Sequence, residues 1–308
     1  MSRKGRKPSI LVIGSINMDL VLETSRIPQG GESLMGEKYH YLPGGKGSNQ
    51  AVALSRLGAK TSFLGKIGDD TQGRKLKTGL EKEGINTSYL KVTEEGKTGL
   101  AVILLENNGQ NRIIVYPGAN MKLKSEDLET AFDQSYDAVL LQLEIPQEIV
   151  IESFLQAEKN KTPVILDAGP ARSFPLEKIK GLEILSPNET EVKALTGIAI
   201  KNKQTVREAA EILYEKSRAE HIVIKMGKEG AALFSNNRLE FFPARPVEKV
   251  LDTTAAGDAF TAAMALSYVS NKDINKAIRF ANKAGALTVT KLGAQPSLPS
   301  IEEVNKFS

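Results

Sequence analysis

The 308-residue chain has no cysteine and only two histidines, His40 and His221. Without cysteine there are no disulfides, no thiolate metal site and no thiol nucleophile. Two histidines so far apart leave little material for a His-based triad or a His-rich zinc site. No stretch approaches 18 consecutive apolar residues, so no membrane partner is expected. Only a strand-length apolar run follows the basic N-terminal residues, so no secretion signal is expected and the expected compartment is the cytoplasm. Part of the net charge of +4 comes from Arg3, Lys4, Arg6 and Lys7, and residues 1–8 read as a solvated, disordered tail. No aromatic-rich basic patch occurs elsewhere, so nucleic acid is not an expected partner.

What is present is an ordinary globular composition, 41% hydrophobic and 25% charged, over a length that suits one large α/β domain. Ser9–Ile13 is a short apolar run ending at Gly14, as expected of a strand buried on both faces of a parallel sheet. From Gly47 onward helical and strand signals alternate. Helices are expected near 48–57, 73–83, 147–159, 189–195, 206–216, 256–269 and 274–290. Strands are expected at 61–64, 138–143, 163–166, 184–185 and 222–225. Such alternation predicts a doubly wound, mostly parallel sheet flanked by helices.

One region departs from the alternation. Thr98–Leu105 and Ile113–Tyr116 flank Asn107-Asn-Gly-Gln110, a hairpin signal of the type I′ kind. With Asn17–Leu22 and Tyr39–Leu42 these segments predict a small separate β-sheet, a lid inserted at about 16–42 and 97–117 of a single domain. A second hairpin, Ala231–Phe234 with Leu239–Phe242, is expected to extend an edge of the main sheet.

The most informative segment is Leu251-Asp-Thr-Thr-Ala-Ala-Gly-Asp-Ala-Phe260. Ala255, Ala256 and Gly257 stand where an apolar helical run begins, and Asp258 falls in its first turn. A helix N-terminus presents unpaired N–H groups and partial positive charge, and near-absent side chains let a phosphate come close. A carboxylate there faces both the phosphate and a presented hydroxyl, which points to phosphoryl transfer with Asp258 as base. Ordinary first-turn capping explains Asp258 as well.

Asn17 and Asp19, two apart on a strand, point to one side and suit the hydroxyls of a sugar, or simply a wet surface. Gly44-Gly-Lys-Gly-Ser-Asn-Gln-Ala51 leads into a helix. It is neither a Walker A loop nor G-x-G-x-x-G, yet it offers backbone donors beside Lys46 and Asn49. Asn188 and Glu191 share a helical face, consistent with capping or with a water-mediated hold on Mg²⁺. Glu144 follows a strand's carboxyl end, where doubly wound folds bind ligands. Lys225-Met-Gly-Lys-Glu-Gly230 reads as a nucleotide-side loop or a plain turn.

Taken together these segments resemble the ribokinase (PfkB-type) carbohydrate kinase family, from about Ile10 to Pro299. The first family signature is matched by Gly44–Ala51 with Gly58 and Gly68, the second by Asp252–Phe260 through Ala265. Gly14–Asp19, Leu141–Glu144, Pro187–Glu191 and Gly293–Ser297 match further. The resemblance implies ATP-dependent phosphorylation of D-ribose at its 5-hydroxyl, with Asp258 as base and the amides of Ala255, Ala256 and Gly257 as anion hole. It implies that Asn17, Asp19, Gly45, Lys46, Gly47, Ser48, Asn49 and Glu144 bind the sugar. Asn188, Lys225, Met226, Gly227, Lys228, Glu229, Gly230, Gly257 and Asn282 would contact ATP, and Glu191 would act on Mg²⁺ and phosphate. Asp252, Thr254, Thr288, Lys291, Gly293 and Ser297 would hold a monovalent cation, usually K⁺, and lid strands would build a homodimer.

The chain departs from the commonest pattern of the family at three places. Met18 stands between the two sugar-binding residues. Asp167-Ala-Gly-Pro170 replaces Asn-Pro-Ala-Pro, and Thr261-Ala-Ala263 replaces Asn-Gly-Ala. None of these positions is expected to touch the chemistry directly, though Met18 leaves ribose, a deoxy sugar or another sugar open. A kinase for another sugar or nucleoside, and a sugar-binding regulator without catalysis, remain alternatives.

Overall fold

The computed structural model describes residues 6–106 and 110–307. Among these residues one sheet has nine strands: β1 (Ser9–Ile13), β4 (Lys60–Gly68), β5 (Asn86–Thr93), β8 (Ala138–Leu141), β9 (Val164–Asp167), β10 (Ile184–Ser186), β11 (His221–Lys225), β12 (Ala231–Ser235) and β13 (Arg238–Phe242). Their order is β13-β12-β11-β10-β9-β8-β1-β4-β5. All neighbours are parallel except the β11-β12 and β12-β13 pairs at one edge. Successive side chains of β1 enter opposite layers. Ile10 and Val12 pack with α1 (Lys46–Arg56), α2 (Thr71–Lys82), α6 (Ala256–Asn271) and α7 (Ile274–Thr288). Leu11 and Ile13 pack with α3 (Gln147–Lys159), α4 (Glu189–Thr196) and α5 (Lys203–Ser217). A strand dry on both faces needs this three-layer arrangement.

Four strands form a second sheet in the order β3-β2-β6-β7: β2 (Asn17–Thr24), β3 (Lys38–Gly44), β6 (Gly99–Glu106) and β7 (Asn111–Tyr116). β2 pairs antiparallel with β3 and parallel with β6, and β6 pairs antiparallel with β7. Pro43, which cannot donate to a ladder, sits on the edge strand β3. The expected Asn108-Gly109 turn lies outside the described residues. The edge hairpin of the main sheet closes through Asn236 and Asn237, both with positive φ (49° and 59°), as a two-residue primed turn requires.

Two expectations change. β5 was not anticipated, because a half-exposed edge strand carrying Asn86, Ser88 and Lys91 has no apolar run to announce it. Residues 6–8, expected in a disordered tail, are fastened. Arg6 donates to both oxygens of Asp137, and the Pro8 carbonyl accepts from the Lys60 amide.

Candidate active site

The predicted residues meet where β1 and β8 leave the main sheet in opposite directions, the switch point at which open α/β sheets bind ligands. Backbone geometry there depends on missing side chains. Gly45 has φ 91°, a left-handed value that favours glycine, and turns the chain from β3 into α1. A Cβ on Gly47 would stand 2.7 Å from the Ser15 amide nitrogen, so α1 starts in direct contact with the turn after β1. Asn49 and Gln50 on the first turns of α1 are thereby carried into the cleft.

Asp258 lies in the first turn of α6 and is buried. Its carboxylate accepts from Asn49 Nδ2 at 2.9 Å and from Gln50 Nε2 at 3.3 Å, with Lys46 Nζ at 3.9 Å. Burial raises its pKa above the ordinary carboxylate range; Lys46 works against that rise and Asp167 adds to it. Burial also opposes the Lys46 charge, but Asp258, Asp167, Glu144 and Glu191 outweigh it and hold the ammonium protonated. A buried carboxylate made more basic and aimed into a cleft has the properties of a general base.

Ala255 precedes the helix with φ 60°, ψ 5°, a left-handed conformation that costs a non-glycine residue about 1 kcal/mol or more. It turns the start of α6 toward the cleft. The Ala256 amide donates to the Thr253 carbonyl at 3.2 Å, so one of the three expected anion-hole amides is engaged within the turn itself. Gly257 is open: a Cβ there would have only Lys225 Nζ near it, at 3.9 Å.

On the opposite wall, Asn17 and Asp19 are both buried at the start of β2, while Met18 enters the core on the other face. Burial pushes the Asp19 carboxyl up to about 7, with repulsion from Glu144 and Asp258 adding to it. Lys46 joins two of these, its amide on Glu144 and its Nζ 3.9 Å from Asp258 Oδ1, and the Asp19 carboxylate lies against Gly44 just ahead of it. Glu144 accepts from the Ser15 hydroxyl and the Lys46 amide. Ser48, expected at the sugar, instead donates to the Gly44 carbonyl and is wholly buried, so it shapes the turn.

Asn188 and Glu191 form the reciprocal capping box of α4. Glu191 is nonetheless buried facing Gly169, Lys46 and Lys225, and burial raises its pKa. Capping and a role in the cleft therefore coexist. Gly227–Glu229 make one 3-10 turn after β11. Lys225 does not belong to that turn's exposed surface. Its Nζ is inside, 2.7 Å from Asp167 Oδ1. Asn282 is buried and donates to the Pro243 carbonyl. Asp252 draws two loops together: Oδ1 accepts from the Thr254 amide and hydroxyl, and Oδ2 from the Gly293 amide. The Ser297 hydroxyl donates to the Ala294 carbonyl, which leaves its oxygen free to accept or ligate.

Several residues that hold this cleft together carried no signal in the sequence. Asn120 is buried; its Oδ1 accepts from the Ile16 amide and its Nδ2 donates to Asn17 Oδ1 at 2.7 Å, fixing which way Asn17 presents its amide. Gln142 donates to Gln50, and Gln50 bridges Asp258 to Asp167. Asp167 and Thr261 were expected to stand clear of the chemistry. They lie in the hydrogen-bonded layer directly beneath Asp258. Residues far apart in sequence reach that layer from four different strand and helix ends, and no local spacing reveals it.

The geometry agrees with the comparisons. The model of the pfkB family carbohydrate kinases matches residues 7–301. A ribokinase of Bacillus subtilis is 38% identical over 301 residues, covering 97% of this chain and 99% of the relative. A deoxyribokinase of Salmonella typhi is 35% identical over 301 residues, covering 97% and 98%. The structure of Arabidopsis thaliana ribokinase complexed with ribose and ATP superposes with a TM-score of 0.90 at 36% identity, covering 98% of this chain and 99% of that one. A two-sheet fold, a basic carboxylate at a helix start and a match over almost every residue lead to one conclusion: the chain belongs to the pfkB family of carbohydrate kinases.

Proposed function

We propose that the protein transfers the γ-phosphoryl group of ATP to the 5-hydroxyl of D-ribose. The observation that carries this reading is the Asp258 carboxylate, buried and raised in pKa at the start of α6, in one cleft with Asn17, Asp19 and Glu144. The relatives named above phosphorylate ribose or deoxyribose according to their names, and one binds ribose with ATP. In this reading Asp19, Asn17 and Glu144 hold the sugar hydroxyls, helped by Lys46, Asn49 and the Gly45–Gly47 backbone. Among the described residues no side chain donates to the Asp19 carboxylate, so its oxygens are available to hydroxyl donors. Asp258 takes the proton of the reacting hydroxyl. That oxygen forms the new P–O bond while the bond to the ADP oxygen breaks, in line. The amides of Ala255 and Gly257 receive the charge on the equatorial oxygens, the Ala256 amide being already bonded to the Thr253 carbonyl. Asn188, Asn282 and the segment 226–230 serve the nucleotide.

Among the described residues no cluster of three His, Cys, Asp or Glu could hold a metal ion. Mg²⁺ would therefore arrive with the triphosphate and keep most of its waters, with Glu191 reaching it through one of them. Asp252, carbonyls of Thr254, Thr288, Lys291 and Gly293, and the Ser297 hydroxyl offer one charge and several neutral oxygens, a set suited to K⁺. The monovalent ion would stiffen the loop entering α6.

One face of the small sheet exposes Tyr39, Tyr41, Ile114 and Tyr116, and a second copy covering this apolar patch would give a homodimer. No helix among the described residues is long and apolar enough to cross a membrane, and a reaction drawing on ATP suits the cytoplasm.

The test is ADP release measured over pentoses, hexoses and nucleosides, with and without K⁺. Ribose is expected to give the highest kcat/KM; equal use of 2-deoxyribose would reassign the substrate, and no release with any acceptor would end the kinase reading.

A further inference from the structure

Asp167, Lys225 and Thr261 form a buried group that general nucleotide contact does not explain. Lys225 Nζ donates to Asp167 Oδ1 at 2.7 Å and lies 3.4 Å from Thr261 Oγ1, whose hydroxyl donates to Asp167 Oδ2 at 3.2 Å. Gln50 donates to the same Oδ2 at 2.8 Å and continues to Asp258. Asp167 and Thr261 are two of the positions where this chain departs from the usual family pattern. The structure makes them the two partners of one cation.

A buried ion pair is weak evidence of a purely structural role, since desolvating both charges costs about as much as their attraction returns. The exposure of this pair is also one-sided: 11% of the Lys225 side chain is accessible against 1% for Asp167. Of the two partners, Lys225 is the one that keeps accessible side-chain surface. An ammonium has three N–H donors, and Asp167 and Thr261 take two. The first turn of α6 lies beside it, with the ammonium 3.9 Å from the place a Gly257 Cβ would occupy. A fixed donor with positive charge, held dry beside a helix N-terminus, is suited to an anion that gains charge during reaction.

We propose that Lys225 is a catalytic residue that donates to the migrating phosphoryl group, and that Asp167 and Thr261 are the residues that position it. The inference rests on the kinase reading above. The only proton transferred is the one that Asp258 accepts.

The test compares Lys225→Met with the neutral pair Lys225→Met/Asp167→Asn. The single variant strands the buried Asp167 charge and is expected to lose stability, so the double variant is the decisive one. Its kcat is expected to fall roughly 10²-fold, the size typical of one lost transition-state donor. Its sugar KM and its affinity for ADP should stay within about twofold of the parent, because uniform binding is untouched. Binding of ADP with aluminium fluoride, which mimics the phosphoryl group in flight, should lose most of its advantage over ADP alone, whereas a merely structural defect would weaken both equally. A double variant with near-parental kcat, an unchanged preference for the fluoride complex, or parallel losses for both ligands would overturn the proposal. Turnover by the parent protein reads the kinase assignment separately, and the ligand comparison reads Lys225 even without a known sugar.

Discussion

Replacing Asp19 with Asn is expected to stabilise the protein above neutral pH while damaging sugar binding. In the unfolded chain this carboxyl ionises at its ordinary value of 3.8, and in the fold at about 7, chiefly because it is buried. Between those values the folded state holds a proton that the unfolded state has lost, so stability falls as pH rises from about 4 to about 7 and the loss persists above that. Roughly three pH units at ~1.36 kcal/mol each give ~4 kcal/mol for a wholly dry carboxylate. Water in the open cleft screens part of the charge, so about 2 kcal/mol is the expected penalty at pH 8. Asn has the same shape and no charge. Urea unfolding should therefore find Asp19→Asn more stable than the parent by about 2 kcal/mol at pH 8 and nearly equal at pH 4. The same variant should show a raised sugar KM, and the acid limb of the parent's kcat/KM near pH 7 should move. An identical stability difference at both pH values, or a variant less stable at pH 8, would refute the reasoning.

Asp258→Asn should lower kcat by about 10²–10⁴-fold while ATP still binds, measured by ADP release and nucleotide titration; near-parental turnover would remove Asp258 as base. Asn120→Ala should cost about 1–3 kcal/mol in urea unfolding, because the buried Ile16 amide loses its acceptor. It should also raise sugar KM more than it lowers kcat, since Asn17 loses the donor that orients it. Gly257→Ala should leave the melting temperature unchanged or higher, as its Cβ would meet nothing closer than Lys225 Nζ at 3.9 Å. Its kcat should fall, because that Cβ occupies the approach to the helix-start amides.

Local chemistry made part of this site legible. Ala255-Ala-Gly-Asp258 at a helix start, Asn17 and Asp19 on alternate strand positions and glycines ahead of α1 each state a backbone requirement within a few residues. The structure places all of these around one cleft. The strands of the small sheet were also visible, because alternating residues between turn signals mark a sheet with one dry face. The capping box at Asn188 and Glu191 was legible as local chemistry, but its buried neighbours were not.

Some assignments depended on which ends the sheet order brings side by side. Nothing around Asn120 marks it, since it acts through a turn that meets β2 only after folding. Ser48 looked like a ligand group and became a bond within its own turn. Lys225 looked like the first residue of a nucleotide-side loop or a plain turn and became half of an internal ion pair. Asp167 and Thr261 looked like incidental departures from the family pattern and became its partners.

By itself the sequence determined the alternating helices and strands, the two-sheet plan and the candidate for the base, because periodicity, turn residues and helix-start chemistry act over a few residues. Only the tertiary structure decided the polar layer beneath Asp258 and the burial that raises Asp19 and Asp258. Desolvation and Coulomb coupling depend on distance in space, and Gln50, Asp167, Lys225 and Thr261 become neighbours only when β9, β11, α1 and α6 end at the same cleft.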